Sequence, residues 1–490
     1  MSSAQETPVL VGVGQILQRL EDPQEAAEPL EMMTSALRQA GEDSGAPKLL
    51  QRADSIYVLR GAWGYGDPGR EVARRLGATP GETVGTPYGG NFSQACVIDA
   101  ARKIQAGQRG VVLITGAENG RSHKQAQRQG VALPTTEAPG TPNRMLGDDK
   151  PLFHDAELAR GMNSASDMYA IIESAIRFAR GESLETHAGR ISTLWSGFNA
   201  VACENPNAWI RKPYSAQEIR RAGPDNPMIS HPYTRLMNAN ARVDMAAGLL
   251  LCSLETARDA GVPDEKLVFL HAATEANDTN FASTRAEFHR SPAMRVAGSR
   301  ALELAEKTIA EIDHVDLYSC FPSAVQVAAT ELGLPEDRPL TVTGGLTFGG
   351  GPLNSYVLHA VARTAERVRE DRGSTGFVSA NGGWLAKHAF GIYSCEPPAE
   401  GFRYENLQQQ ADAFPLREAL VEWTGPITVE AYTVSHRAGR AHRGQAACLT
   451  DDGRRTWGTV EEPAVLDAMT REEFCGRRGH LDGNGGLSVD

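Results

Sequence analysis

Short apolar runs alternate with segments of helical apolar spacing along the first part of the chain. The strand-like runs are residues 8–14, 54–60 and 110–118, and the helical segments are residues 25–41, 69–76 and 92–106. Strands that alternate with helices predict a parallel sheet with helices on its faces. Residues 1–118 are therefore expected to belong to one α/β unit.

The alternation stops over residues 119–235, which are rich in Pro, Asn, Arg and His and predict an inserted loop domain with a helix over 167–181. It then resumes with a helix over 241–260, a strand over 266–275, a helix over 298–312, a strand over 314–320, helices over 321–332 and 353–371, and a strand over 376–383. A glycine-rich segment precedes a helix near residue 90 and again near residue 351. This correspondence predicts an internal duplication.

The last part of the chain has a different sequence pattern, in which apolar and polar residues alternate with a period of two, as in β-strands. The residues "DDG" at 451–453 indicate a hairpin turn. The predicted organisation is an N-terminal half (1–118 and 236–275), a loop domain (119–235), a C-terminal half (276–397) and a small β domain (403–490). In the β domain, "SHRAGRAHRGQA" is expected to form a basic hairpin. It is either a solvated strand face or a surface for an acidic protein partner.

The composition and charge of the chain argue against several classes of function. The chain has 490 residues, more than one ordinary core holds, and a net charge of −12, which argues against bulk affinity for nucleic acid or anionic membrane. The N-terminal sequence lacks the features of a signal peptide, and no apolar run has the length of a membrane span, so a cytoplasmic location is expected. Seven scattered cysteines without CxxC spacing argue against a disulfide framework or a zinc site.

The segment "TVTGGLTFGGGPLNS" places five glycines in the eight positions 344–351, directly before a predicted helix. Glycine disfavours both helices and strands, so such a run needs a physical reason. One explanation is that backbone N–H groups at a helix start bind a phosphate or a polarised carbonyl. The other is a tight turn without a ligand.

Three segments in order resemble the thiolase superfamily, and most closely its sterol-carrier-protein-type and thiolase-like type 1 branch. They are "GGNFSQACVIDAARKIQAGQRGVVLITGAENGRS", "VDLYSCFPSAV" and "TGGLTFGGGPLNS". The resemblance covers roughly residues 7–397 and implies a duplicated five-layer αβαβα fold with an inserted loop domain, followed by a small C-terminal OB-like β domain. It also implies a CoA thioester as substrate or ligand, with no bound cofactor and no metal.

The chain departs from the family at the positions that the resemblance assigns to catalysis. Gly90 stands at the nucleophilic cysteine, Gly351 at the histidine and Ala380 at the second cysteine, while Tyr318 replaces the asparagine of the Asn-Glu-Ala-Phe segment. Ordinary thiolase chemistry is therefore not expected. Instead, Gly90 and Gly351 are expected to leave open space beside a bound thioester.

Two residues remain as candidate catalytic groups. Cys320 follows the predicted strand 314–318, at the end of the sheet where α/β sites collect, and the resemblance brings the loop that carries His388 to the same pocket. A Cys/His pair within hydrogen-bond distance would be an activated nucleophile. The alternative is that Cys320 packs under a helix and His388 bonds to the backbone.

The candidate ligand-binding residues are Gly90, Ser93, Asn240, Tyr318, Gly349, Gly350, Gly351 and Asn381. Asn240 is included because "NANARVDMAAG" resembles the thiolase stretch that lines the pantetheine tunnel. Lys387, Arg121, Arg211 and Arg235 are candidates for the CoA phosphates.

Two functions stay open at this point. One is an acyl-CoA acyltransferase of altered mechanism acting through Cys320 and His388, and the other is an inactive protein that binds acyl-CoA or a related lipid thioester. Thiolases generally dimerise through the edge strand before the nucleophile helix. Here that stretch, "ETVGTPYGG", contains Pro87 and glycines, which predicts a weak dimer or a monomer.

Overall fold

The computed structural model describes residues 6–489. Residues 1–5 and 490, which the sequence assigns to the N-terminal half and the β domain, lie outside the described residues. No helix within residues 6–489 is long and apolar enough to cross a membrane.

The strands are β1 Pro8–Leu17, β2 Ser55–Val58, β3 Glu82–Gly85, β4 Val111–Asn119, β5 Arg144–Met145, β6 Met228–Ser230, β7 Tyr233–Thr234, β8 Asp244–Ser253, β9 Val268–Asn277, β10 His314–Asp316, β11 Thr375–Gly382, β12 Lys387–Ser394, β13 Arg403–Asn406, β14 Gly425–Arg437, β15 Arg440–Leu449, β16 Arg455–Val460, β17 Arg478–Leu481 and β18 Leu487–Val489. The helices are α1 Pro29–Asp43, α2 Pro68–Leu76, α3 Phe92–Gln105, α4 Gly120–Gln129, α5 Asp155–Leu158, α6 Ala165–Ala179, α7 Leu184–Glu204, α8 Ala216–Arg220, α9 Leu254–Asp259, α10 Pro292–Leu304, α11 Pro322–Leu332, α12 Tyr356–Glu370, α13 Gln408–Ala411 and α14 Pro463–Met469.

The large sheet shows the internal duplication that the sequence predicts. One half has the order β3-β2-β4-β8-β1 and the other β10-β11-β12-β9, and the halves join through a short pairing of β1 with β9. The pairings also correspond, because β2/β4 and β10/β11 are parallel whereas β4/β8 and β11/β12 are antiparallel. Helices α3 and α12 lie between the halves, while α1 and α10 cover the outer faces. The result is a five-layer αβαβα architecture.

The helix predicted over residues 241–260 is wrong, because residues 244–253 form strand β8 and only residues 254–259 are helical. Every residue of β8 is buried, since the strand lies between β1 and β4 and is covered on both faces. Such a strand is apolar throughout, and its sequence has no alternation to distinguish it from a buried helix.

The C-terminal domain is an antiparallel sheet, β16-β15-β14-β17-β18, which the loop-domain strands β6 and β7 extend. Residues 403–406, which the sequence places in this domain, instead pair with β9 in the large sheet as β13. The fully buried Arg455 links the domain to the C-terminal half, because its guanidinium donates to the carbonyl of Ser283 at 2.9 Å. An ion pair with Glu430 of β14 at 2.7 Å holds the guanidinium in place. The domain is thus held by buried polar contacts.

The exposed side of β3 is covered by the chain's own loop domain. Strand β5 pairs in parallel with β3, and the amide of Leu146 donates to the carbonyl of Gly85 at 2.9 Å. The amide of Thr83 donates to the side chain of Asn143 at 2.8 Å. Backbone groups that an edge strand would offer to a second chain are therefore already paired.

We expect the chain to be a monomer, because β5 occupies the edge through which a partner strand would pair. Sedimentation velocity from nanomolar to micromolar concentration is expected to show one species at the mass of a single chain. A species of twice that mass that persists at nanomolar concentration would contradict this expectation.

Candidate functional site

Gly90 lies just before α3, at the position that the resemblance assigns to the nucleophile. A Cβ atom on Gly90 would lie 2.5 Å from the hydroxyl oxygen of Tyr318 and 2.6 Å from the carbonyl oxygen of Asn381. Both distances are well inside van der Waals contact, so a side chain would displace Tyr318 or β11. The predicted open space at Gly90 is therefore occupied by the protein itself.

The start of α3 is not neutralised by the protein. Its cap residue, Asn91, makes no side-chain hydrogen bond to the helix, and its first turn contains no acidic residue. The partial positive charge of a helix start is consequently available to a ligand oxygen. The fully buried Ser93, a predicted ligand-binding residue, instead donates its hydroxyl to the carbonyl of Asn354 at 2.7 Å and so holds α3 next to the segment before α12.

Tyr318 follows β10 and points towards Gly90. Its amide donates to the hydroxyl of Ser379 at 2.9 Å, and its ring meets the ring of Tyr356 edge to face at a centroid distance of 5.6 Å. The Tyr318 side chain is half-buried, and its hydroxyl makes no hydrogen bond to another described residue. Burial, and then the nearby Cys320 thiol, raise the pKa of Tyr318, so its hydroxyl stays protonated and can act as a donor.

Asp316, at the end of β10, organises the residues around Tyr318. This fully buried carboxylate accepts from the hydroxyl of Tyr356 at 2.9 Å, from the hydroxyl of Thr341 at 2.9 Å and from the amide of Val342 at 2.9 Å. Burial raises the pKa of Asp316, and these hydrogen bonds oppose that effect. The hydrogen bond to Asp316 therefore fixes Tyr356, and the ring of Tyr318 packs against the ring of Tyr356.

The glycine-rich segment forms a π-helical turn over residues 345–349, packed against the protein on several sides. A Cβ on Gly344 would lie 2.4 Å from that of Ala202, and one on Gly350 would lie 2.4 Å from the sulfur of Met245. Gly344 and Gly350 also have φ angles of 95° and 112°, which favour glycine. The amide of Trp209 donates to the carbonyl of Gly349 at 3.0 Å. These glycines allow the loop domain and β8 to approach the turn.

Gly351 does not leave the open space that the sequence predicts. Its amide donates to the carbonyl of Asn240 at 3.0 Å, and a Cβ on Gly351 would lie 3.3 Å from the carbonyl oxygens of both Asn240 and Leu346. The side chain of Asn240 accepts from the amide of Arg242 at 3.1 Å. The space beside Gly351 is occupied by backbone from the segment before β8.

Cys320 and His388 do not form the predicted pair. Cys320 is buried near Tyr169, and burial raises the pKa of its thiol to about 12. His388 is turned towards α10, where its Nε2 atom lies 3.1 Å from the hydroxyl of Ser291 and 3.3 Å from Asp278. Its Nδ1 atom has no hydrogen-bond partner within the described residues, so it is not within hydrogen-bond distance of Cys320. The hydrogen bond between His388 and Asp278 holds the imidazole away from Cys320.

The hydrogen bond with His388 also affects the carboxyl of Asp278. Burial opposes ionisation of Asp278, but its hydrogen bond with His388 is part of what holds the pKa of this carboxyl below its ordinary value. His388 lies directly opposite Asn381 on neighbouring strands, so the two side chains share one face of the sheet. Asn381 contributes its carbonyl to the Gly90 site, while its amide Nδ2 donates to the hydroxyl of Tyr169 at 3.0 Å.

A group of arginines that sequence reasoning only partly identified lies beside the glycine turn. Arg19 donates to the carbonyl of Trp209 at 2.6 Å and lies 4.7 Å from its ring centroid. Arg211 lies two residues after Trp209, and Arg121 donates to the carbonyl of Leu20, next to Arg19. Burial, and then the charges of Arg211 and Arg121, lower the pKa of Arg19. The nearest acidic side chain to this arginine cluster (Arg19, Arg121, Arg211) among the described ion pairs is the exposed Glu21, 3.7 Å from Arg121.

Of the other two predicted phosphate contacts, one is exposed and one lies beside the first residue of α3. Arg235 is exposed, and Lys387 lies over the ring of Phe92 at 5.7 Å, where burial lowers the pKa of its amino group. A cleft of about 1370 Å³ runs between α7 and residues 334–341, and its lining contains none of the predicted ligand-binding residues.

The basic hairpin of the C-terminal domain forms as predicted from β14 and β15. Arg437 and Arg440 stand opposite each other next to the turn, and both are exposed. Its binding to an acidic partner remains a prediction.

The sequence matches a family model described as the thiolase-like protein type 1 additional C-terminal domain over residues 406–485. Among curated proteins it is similar to acetyl-CoA acetyltransferases of two archaea. It is 26% identical to that of Methanothermobacter thermautotrophicus over 36% of this chain and 47% of the relative, and 23% identical to that of Methanocaldococcus jannaschii over 42% and 55%. The chain thus spans about half the length of these relatives.

Two solved structures share the fold at lower identity. The Ltp2-ChsH2(DUF35) aldolase aligns with a TM-score of 0.61 at 19% identity, over 80% of this chain and 98% of that one. An acetyl-CoA acetyltransferase from Syntrophomonas wolfei aligns with a TM-score of 0.56 at 16% identity, over 80% of this chain and 99% of that one.

A third structure matches almost from end to end. It is a monomeric SCP2-thiolase-like protein type 1 from Mycobacterium smegmatis, which aligns with a TM-score of 0.84 at 30% identity over 99% of both chains. The match includes the C-terminal domain as well as the αβαβα body with its loop domain. With this coverage, the chain belongs to the SCP2-thiolase-like protein type 1 family.

Proposed function

We propose that this protein binds an acyl-CoA thioester with the thioester carbonyl between Tyr318 and the start of α3, and that it does so without forming a cysteine acyl-enzyme. The observation that carries the proposal is the free hydroxyl of Tyr318, which faces Gly90 at the uncapped end of a long helix. A phenol donor and a helix start together suit a polarised carbonyl oxygen. Two independent features of the fold therefore favour the same ligand group.

The same geometry argues against thiolase chemistry. A Claisen condensation needs a nucleophile for the acyl group and a base for the second substrate, and Gly90, Gly351 and Ala380 provide neither. The thiol of Cys320 is protonated near neutral pH, and His388 is engaged with Asp278. The altered acyltransferase acting through Cys320 and His388 thus loses its activating contact, and the binding function is favoured.

The arginine cluster supports a ligand that carries phosphates. The three guanidinium groups have little opposing charge nearby in a protein with a net charge of −12. Arg19 contacts the segment that carries Arg211, and this segment contacts the glycine turn, since Trp209 bonds both to Arg19 and to Gly349. Arginine groups of this kind suit the nucleotide end of CoA.

Incubation with acetyl-CoA is expected to leave Cys320 unmodified. With a thiol pKa near 12, only about one part in ten thousand is thiolate at pH 8. Intact-mass spectrometry is expected to show no acetyl adduct, and acetoacetyl-CoA is expected not to be cleaved at thiolase-like rates.

Cys320→Ser is the matched control, and it is expected to bind acetyl-CoA as the unmodified protein does. An adduct that forms on the original chain and disappears in Cys320→Ser would restore the acyltransferase. Absence of CoA-thioester binding in calorimetry would overturn the proposed function.

Arg211→Ala is expected to weaken CoA binding about tenfold, the loss of one charge-assisted contact to a phosphate of about 1.5 kcal/mol. Arg211 is exposed and its Nε atom makes one weak bond, to the carbonyl of Cys203 at 3.4 Å, so the fold should tolerate the change. Calorimetry at two salt concentrations measures the effect, which should shrink as salt rises. Arg235→Ala removes an equal charge from an exposed position outside the cluster, and an equal loss there would contradict a specific site.

A further inference from the structure

We propose that Tyr318 restricts the acyl group to a short chain such as acetyl and excludes medium chains such as octanoyl. This inference rests on the proposed thioester function and names the class of acyl group that the site accepts. It makes Tyr318 a specificity-determining residue, in addition to a donor.

The first argument is the volume beside Gly90. Removal of the cysteine side chain would normally enlarge the site, but Tyr318 fills the vacated space. Its hydroxyl oxygen and Cε2 atom lie 2.5 and 2.8 Å from where a Cβ on Gly90 would be. Replacement of an asparagine by a tyrosine, which the resemblance implies at position 318, therefore more than offsets the loss at position 90.

The second argument is the wall behind Cys320. The rings of Tyr169 and Phe321 stack at a centroid distance of 4.6 Å, and Phe321 stacks on Tyr233 at 5.5 Å. All three rings are buried, and Tyr233 is also anchored by a hydrogen bond to Ser323 at 2.9 Å. A chain that passes Cys320 would have to separate a packed aromatic stack, which is costly in a close-packed core.

At the glycine turn, the sulfur of Met245 lies against Gly350, and the carbonyls of Asn240 and Leu346 lie against Gly351. The backbone carbonyls cannot move aside by a change of rotamer, so an acyl chain has little room on this side. We therefore expect the acyl chain to lie beside Tyr318.

The test compares acetyl-, butyryl- and octanoyl-CoA by calorimetry on the intact protein and three variants. Each buried methylene would strengthen binding if the chain fitted, so an open site would favour octanoyl-CoA. We expect the unmodified protein to bind octanoyl-CoA at least tenfold more weakly than acetyl-CoA. Tyr318→Ala and Tyr318→Asn are expected to strengthen octanoyl-CoA binding at least tenfold.

Tyr318→Phe separates volume from hydrogen bonding. It keeps the ring, so the chain-length preference should persist, whereas the loss of the hydroxyl should weaken all three ligands by a similar factor. Thermal unfolding establishes that each variant is folded, and Tyr318→Asn, which keeps a polar side chain, serves where Tyr318→Ala does not fold.

The outcomes separate the two proposals. Equal or tighter binding of octanoyl-CoA by the unmodified protein, or an unchanged preference in both Tyr318→Ala and Tyr318→Asn, would overturn the size limit and leave thioester binding intact. Failure of every CoA thioester to bind the unmodified protein and the variants would overturn both.

Discussion

The site depends on one buried carboxylate. Asp316 ends β10 and accepts hydrogen bonds from Thr341, Val342, Thr343 and Tyr356, which joins the last strand residue to the beginning of the glycine turn and to the first residue of α12. A fully buried carboxylate is tolerated only when its oxygens are satisfied, so these partners have little freedom to move. Tyr356 packs against the ring of Tyr318, which lies against Gly90, so Asp316 lies two contacts away from the thioester position that we propose.

The positions that the resemblance to thiolases assigns to catalysis are closely packed. Tyr318 lies against Gly90, and the backbone of Asn240 lies against Gly351. The Nε2 atom of His388 lies within hydrogen-bond distance of Asp278 and Ser291, while its Nδ1 atom has no partner among the described residues. On our proposal, the fold keeps the place where a thioester carbonyl would lie but not the groups that would make or break a carbon–carbon bond.

Sequence patterns predicted the duplicated α/β body well, because alternating strands and helices are local signals, and the glycine-punctuated starts of α3 and α12 stand at corresponding positions. They failed at β8, because a strand that is covered on both faces is apolar throughout and shows no alternation of apolar and polar residues. They also failed at β5, which is too short to show a pattern. The site was harder to predict. The contact of Tyr318 with Gly90 and the pairing of His388 with Asp278 join residues more than a hundred positions apart, and Arg19 joins the arginine cluster only through the folded chain.

The central claim is that the Tyr318 hydroxyl donates to the thioester carbonyl, and infrared difference spectroscopy of bound acetyl-CoA labelled with ¹³C at that carbonyl tests it most directly. Our account predicts that the carbonyl stretch shifts to lower frequency on binding to the unmodified protein. It also predicts that most of this shift is lost in Tyr318→Phe, which keeps the ring and removes only the donor. A bound carbonyl at the frequency of free acetyl-CoA, or the same shift in Tyr318→Phe, would contradict it.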